Sequence, residues 1–424
     1  MKQCIYKGII VYAPKAGELK ILPEGYLYTK DGSTVTEVYE NRLPECLSGV
    51  PVKDFGSCFI LPGMTDLHVH APQYGFRGFA MDLELIDWLN EYAFPEEEKF
   101  SDLAYADRAY GMFTEELKKS FTTRACIFAT VHTEATLLLM KKLEESGLCT
   151  MVGKVNQDRN SAEGLQEISA GRSLEATRSW LEQCAVFQNT QPILTPRFIP
   201  SCTDELMEGL AKLKKERSLF LQSHLSENPE EVHWVKELCP DSRSYAEAYL
   251  KRGVLEGGGT SVLAHCVYSG KEEIEVLYET GTYVAHCPQS NWNLSSGIAP
   301  VRKFLDAGLK VGLGTDVAGG AHLSMLRCMT DAVQTSKMYW RIMDSTCRPL
   351  TYKEVFYLAT KGGGSFFGKV GSFEKGYDLD MVVIDDSTLV HPQELTEEQR
   401  LERIFYLADE RNIIEKYVKG RKII

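Results

Sequence analysis

"MTDLHVHA", residues 64–71, is a short apolar run that closes on two histidines one residue apart. Read as a strand, it puts His68 and His70 on one face, because successive side chains alternate. Seven further runs of this kind follow: TTRACIFAT (122–130), CTMVGKVNQ (149–157), PILTPRFIP (192–200), LFLQSHLSE (219–227), SVLAHCVY (261–268), TYVAHCPQS (282–290) and KVGLGTDVA (310–318). Helical stretches separate them, among them TEATLLLMKKLEESG (133–147) and EEIEVLYETG (272–281). The second of these ends in Gly281, a residue on which helices commonly stop. Eight strand–helix alternations over roughly 300 residues predict a TIM-like (β/α)8 barrel of the α/β class, spanning residues 63–369.

Outside the barrel the pattern is β-rich. CIYKGIIVYA, GYLYTKDGSTVTEVYE with its Asp-Gly turn, and FGSCFILPG lie before it, and KGYDLDMVVIDD lies after it. Neither end is long enough for a domain of its own. Residues 1–62 and 370–424 are therefore expected to pair into one composite β-sandwich domain beside the barrel.

The charge balance, 47 basic against 59 acidic residues for a net −12, argues against nucleic acid and against anionic membrane as partners. No apolar run reaches the length of a membrane span. The opening MKQCIYKGIIVYAP lacks the apolar core of a secretory signal. The 12 cysteines are scattered without a C-x-x-C pair. They are expected to be reduced thiols in a cytoplasmic protein.

Catalytic groups of such barrels come from the C-terminal ends of the strands. His68 and His70 end the first run, Arg197 and Phe198 the fourth, His224 the fifth with Glu227 three residues on, His265 the sixth, His286 the seventh and Asp316 the eighth. Five of nine histidines thus share one rim, which a chance placement of core histidines does not explain. Imidazoles with a carboxylate suit Zn²⁺, or alternatively Fe²⁺, better than Mg²⁺ or Ca²⁺. The pattern is that of a metal-dependent hydrolase, whose ion lowers the pKa of water to about 7.

Some residues resist a functional label. His132-Thr133-Glu134 resembles half of a cytidine-deaminase zinc motif, but P-C-x-x-C is missing and Glu134 suits a first helical turn. Trp88 and Tyr92, four residues apart, are expected to pack. His233 is expected on an exposed helix, His322 in a loop near Asp316, and His286 behind the metal ligands.

The ordered set H-x-H, SHLSE, LAHC, HCPQSN and GLGTD resembles the mononuclear deaminase branch of the amidohydrolase superfamily. HAPQYGFRG, TPRFIPSC, IDWLNEYAFPEE and FATVHTEATLLLM narrow the likeness to the guanine deaminase family. The resemblance spans nearly the whole chain. It implies a single divalent metal on His68, His70, His224 and Asp316. Lys154 lies in the third run and not the fourth, where dinuclear members carry a bridging lysine. The resemblance also implies purine binding by Gln73, Arg197 and Phe198, beside His224 and Asp316. The implied catalytic residues are Glu227 as proton shuttle, Asp316, and His265 beside the attacked carbon. It implies a homodimer that hydrolyses guanine to xanthine and ammonia. Another aminopurine, a pterin or a triazine stays open as substrate, as does a silent scaffold.

Overall fold

The computed structural model describes residues 3–255 and 258–424. Eight strands, β1 (Met64–His70), β2 (Thr122–Phe128), β3 (Cys149–Gly153), β4 (Thr190–Pro196), β5 (Phe220–Leu225), β6 (Ser261–His265), β7 (Tyr283–His286) and β8 (Lys310–Leu313), follow in chain order. Each neighbouring pair is parallel, β8 pairs with β1, and β4 pairs with β5, so the sheet closes into the expected barrel. All seven residues of β1 and of β2 are buried. A parallel strand covered on both faces needs apolar residues throughout, which is why these runs do not alternate.

The barrel interior is filled by Leu67, Cys126, Met151, Ile193, Val262 and Ala285. Phe220, at the start of β5, packs there against Phe366 with ring centroids 5.0 Å apart. Apolar packing therefore closes the N-terminal end and leaves the C-terminal end for polar groups. The surrounding helices are capped by their own sequence. Asp102 accepts from Ala104 N at the start of Leu103–Lys119, and Lys118 and Lys119 sit in its last turn. Gly281 (φ 65°) ends Lys271–Thr280 in the left-handed conformation that favours glycine.

The two ends of the chain meet in one seven-stranded mixed sheet. Its order is Arg421–Lys422, Ile413–Val418, Met381–Ile384, Val52–Pro62, Cys4–Tyr12, Lys20–Thr29 and Glu37–Glu40. The alternation of period two is visible in its packing. Ile10, Tyr12, Ile60, Met381 and Val383 form a local core on one face. Ile9, Val11, Phe59, Leu61, Val382 and Ile384 join the main core on the other.

Two features lock this sheet to the barrel. Only Gly63 separates Pro62, the last residue of a sheet strand, from Met64 of β1. A Cβ on Gly63 would stand 2.2 Å from Thr123 Oγ1, so the close approach requires glycine. Arg124 of β2 donates from Nε to Asp380 Oδ2 (2.6 Å) and from Nη2 to Asp380 Oδ1 (3.1 Å) and Asp378 Oδ2 (2.9 Å). Such a buried two-pronged contact fixes orientation as well as distance.

Candidate active site

The polar groups gather where β1, β5, β6 and β8 end. His68 and His70 project from one face of β1. The chain leaving β8 is pinned to them, Asp316 N donating to His68 O (2.8 Å) and His70 N to Val317 O (3.1 Å). The approach is tight: a Cβ on Gly314 would lie 2.8 Å from His68 Cβ and 2.9 Å from Cys287 Sγ. Buried Asp66 completes the clasp. It accepts from His68 N (3.2 Å), Thr315 N (3.0 Å) and Thr315 Oγ1 (2.5 Å). Burial pushes its carboxyl up to about 6 against the pull of these donors.

His70 Nε2 lies 3.2 Å from both His68 Nε2 and His224 Nε2. Asp316 Oδ1 lies 3.2 Å from His68 Nε2 and 3.5 Å from His70 Nε2. Burial holds all three imidazoles below their ordinary pKa, so they are neutral. Burial works against the Asp316 carboxylate, but the charge that His68, His265 and His70 carry when protonated, with the His68 hydrogen bond, holds its pKa below the usual carboxylate range. His224 Nδ1 faces a carbonyl, the oxygen of Arg197 at 2.6 Å, so Nδ1 carries the proton and Nε2 a lone pair. Converging neutral nitrogens and a carboxylate repel one another unless a cation sits between them. The donor set fits a divalent metal, with spacings that suit bonds of about 2.0–2.2 Å.

Glu227 stands beyond this cluster, Oε2 3.4 Å from His265 Nε2 and Oε1 3.5 Å from Ser296 Oγ. Burial, and the charges of Asp316 and Glu231, push its carboxyl well above the ordinary value. His265 Nδ1 lies 2.9 Å from Asn291 Oδ1, and its Nε2 is 3.7 Å from Asp316 Oδ2. Ser226, His265, Cys266 and Asp316 all have positive φ, from 47° to 76°. Strained backbone of this kind concentrates at sites whose surroundings over-determine it.

Above the cluster opens a recess lined by Gln73, Leu85, Trp88, Leu89, Arg197, Phe198, His224, Glu227, His265 and Asp316, among others. Arg197 does not stand alone. It donates from Nη1 to Glu97 Oε2 (2.6 Å) and from Nη2 to Glu97 Oε1 (3.1 Å), over the ring of Phe94. Gln73 donates from Nε2 to the same Glu97 Oε1 (2.9 Å) and accepts from Ala318 N (3.2 Å). Buried carboxylates beside such a recess are a common mark of an active site.

The Amidohydrolase family profile matches residues 59–423. The guanine deaminase of Dictyostelium discoideum is 36% identical over 99% of this chain and 98% of its own length. That of Escherichia coli strain K12 is 31% identical over 96% and 93%. The crystal structure of guanine deaminase from C. acetobutylicum, with guanine bound in its active site, superposes with a TM-score of 0.96 at 43% identity, covering 100% of both chains. The chain belongs to the guanine deaminases of the amidohydrolase family.

Within this guanine deaminase fold, the other singled-out residues lie apart from the recess, Trp88 excepted. His286 is buried and absent from its lining. His322 is exposed, 3.2 Å from Arg327. His233 pairs with Glu237 on the exposed side of helix Pro229–Leu238. His132 occupies the N-cap position of helix Thr133–Ser146 without a side-chain capping bond, and Glu134 lies in its first turn. Lys154 is buried against Glu167 Oε1 (2.6 Å) and Val155 O (3.1 Å). Tyr92 is exposed and does not pack as expected, whereas Trp88 is buried and lines the recess, so packing is only part of its role. Sequence reasoning missed Asp66, Glu97, Glu231, Asn291 and Cys287. The ligand atoms of Cys287, His265 and Asp316 lie within 4.8 Å of one another. Asp66 carried a signal, two residues ahead of the histidine pair; Glu97 was hidden in the charged run PEEE.

Proposed function

We propose that this guanine deaminase family member hydrolyses guanine to xanthine and ammonia, with one zinc ion on His68, His70, His224 and Asp316. The observation that carries the reading is the adjacency, in one recess, of a His₃Asp donor set and a buried arginine–glutamine pair. Iron(II) is the alternative metal. When bound, the metal acts as a Lewis acid and brings the pKa of water to about 7.

The chain's own residues do the rest. Arg197 and Gln73 bind the purine through O6, N7 and the neighbouring ring edge, and Phe198 covers it. Glu227, with its raised pKa, takes a proton from water and passes it to the ring nitrogen beside C2. The C2–O bond forms, and the tetrahedral C2 then loses its amine. Asp316 accepts the second proton, which leaves with ammonia. His265, oriented by Asn291, hydrogen-bonds the developing centre.

Among the described residues no helix is long and apolar enough to cross a membrane. We read the protein as a cytoplasmic homodimer, with residues 63–369 as the catalytic unit and residues 1–62 and 370–424 as the β unit. The likeness to the family supports the dimer, and the acidic surface supports the absence of nucleic acid and membrane partners. The test is metal analysis of purified protein together with ammonia release from guanine, adenine and a triazine amine. One zinc per chain and guanine-dependent ammonia are expected. Two metals per chain, or release from the triazine alone, would overturn the reading.

A further inference from the structure

We propose that Glu97 is the positioning residue that sets the hydrogen-bond pattern of the purine recess, and with it the choice of the purine's six-position. The inference rests on the reading that Arg197 and Gln73 hold guanine. Glu97 sits on helix Phe94–Glu98 and is 1% exposed. Its two oxygens take three donors: Arg197 Nη1, Arg197 Nη2 and Gln73 Nε2.

A carboxylate accepts only, and that fixes what its partners can show a ligand. Of the five guanidinium N–H groups, two are spent on Glu97, which leaves Nε–H and one hydrogen on each Nη. The fork is thus held end-on by Glu97 and meets a purine along its other edges. Gln73 is fixed more strictly still. Glu97 demands a donor, so the amide turns Nε2 toward it, and Oε1 faces Ala318 N at 3.2 Å. One N–H and one lone pair remain in a set order. Without Glu97 only the bond from Ala318 N opposes a 180° rotation of the amide, which would exchange donor for acceptor.

Guanine offers an acceptor at C6 and a donor at N1. 2,6-Diaminopurine keeps the C2 amine, so the same hydrolysis is possible, but it offers a donor at C6 and an acceptor at N1. A recess ordered by Glu97 separates the two, because the wrong ring leaves buried groups unpaired. A disordered recess does not.

The experiment compares kcat and KM on guanine and on 2,6-diaminopurine for the parent, Glu97→Gln and Glu97→Asp, with metal content measured for each. In Glu97→Gln, kcat/KM on guanine is expected to fall about 100-fold, mostly through KM, with the metal retained. The ratio of guanine to 2,6-diaminopurine efficiency is expected to fall at least tenfold. Glu97→Asp keeps the charge but cannot reach both partners, and should fall between; it also serves if Glu97→Gln does not fold. A merely structural role would lower both substrates alike. An unchanged ratio in a folded, metal-loaded Glu97 variant would overturn the inference. A parent that releases no ammonia from guanine would instead overturn the reading of the site itself.

Discussion

His224 Nδ1 and the backbone oxygen of Arg197 lie 2.6 Å apart. One residue thereby serves two ends of the site. The Arg197 carbonyl fixes the tautomer of His224 and leaves Nε2 directed at the other donors, while the Arg197 side chain faces the recess. Tyr249 OH steadies the same histidine by donating to its carbonyl at 2.9 Å. Partners of this kind raise ligand basicity and hold the ring in place.

Because the contact uses backbone, a side-chain change at Arg197 should separate metal binding from substrate binding. Arg197→Lys is expected to keep the metal and lose about 2–4 kcal/mol of transition-state stabilisation on guanine. Lysine keeps the charge but cannot meet both Glu97 oxygens and the purine. Metal analysis with steady-state kinetics checks this; unchanged kcat/KM would remove Arg197 as the purine reader.

Glu227→Gln should behave in the opposite sense within the same assay. The amide can hydrogen-bond but cannot carry a proton, so kcat is expected to drop by roughly 10²–10⁴ with KM little changed. Near-normal turnover with full metal content would take Glu227 out of the mechanism.

Gly314→Ala tests the packing behind the proposed metal ligands. The added methyl would meet His68 Cβ at 2.8 Å and Cys287 Sγ at 2.9 Å, both short side-chain atoms with little room to retreat. We expect at least tenfold weaker metal affinity in a protein whose far-UV circular dichroism is unchanged. Parent-like affinity would show that the β8 loop can yield.

Asp331, on helix Met325–Met338, offers a pH test away from the site. Burial, only partly offset by Arg327, pushes its carboxyl up to about 6 from 3.8. The folded state therefore holds that proton more tightly than the unfolded one. Stability from this group is complete below about 4 and is lost as pH rises through 6. Asp331→Asn should raise stability at pH 8 by about 1 kcal/mol at most, given the group's partial exposure, seen as a higher Tm, and leave Tm unchanged near pH 4. Equal gains at both pH values would point to packing instead of ionisation.

The barrel was legible because its strands are short, apolar on both faces and punctuated by helices, and the histidines lie where strands end. The network around Arg197 was not. Glu97 is one of five charged or proline residues in a row, a pattern that ordinarily marks a solvated helix start, and its partner is 100 residues away. Only the closed sheet brings the two together. Asn291 was obscured for a similar reason: it lies in HCPQSN after β7, while His265, which it orients, ends β6. Trp88 has helical spacing to Tyr92, and spacing alone does not say that the helix borders a recess.

The junction at Gly63 has a mechanical consequence. No slack separates the terminal sheet from the strand that carries His68 and His70, and the Arg124 clamp prevents the sheet from swivelling about that junction. The sheet and β1 behave as a single lever. A load on the sheet, such as a cross-link or a tether near Arg421, would be transmitted along β1 to the histidine pair with no hinge to absorb it. The β-rich ends are thus built as a mount for the strand that carries His68 and His70 and not as a pendant module.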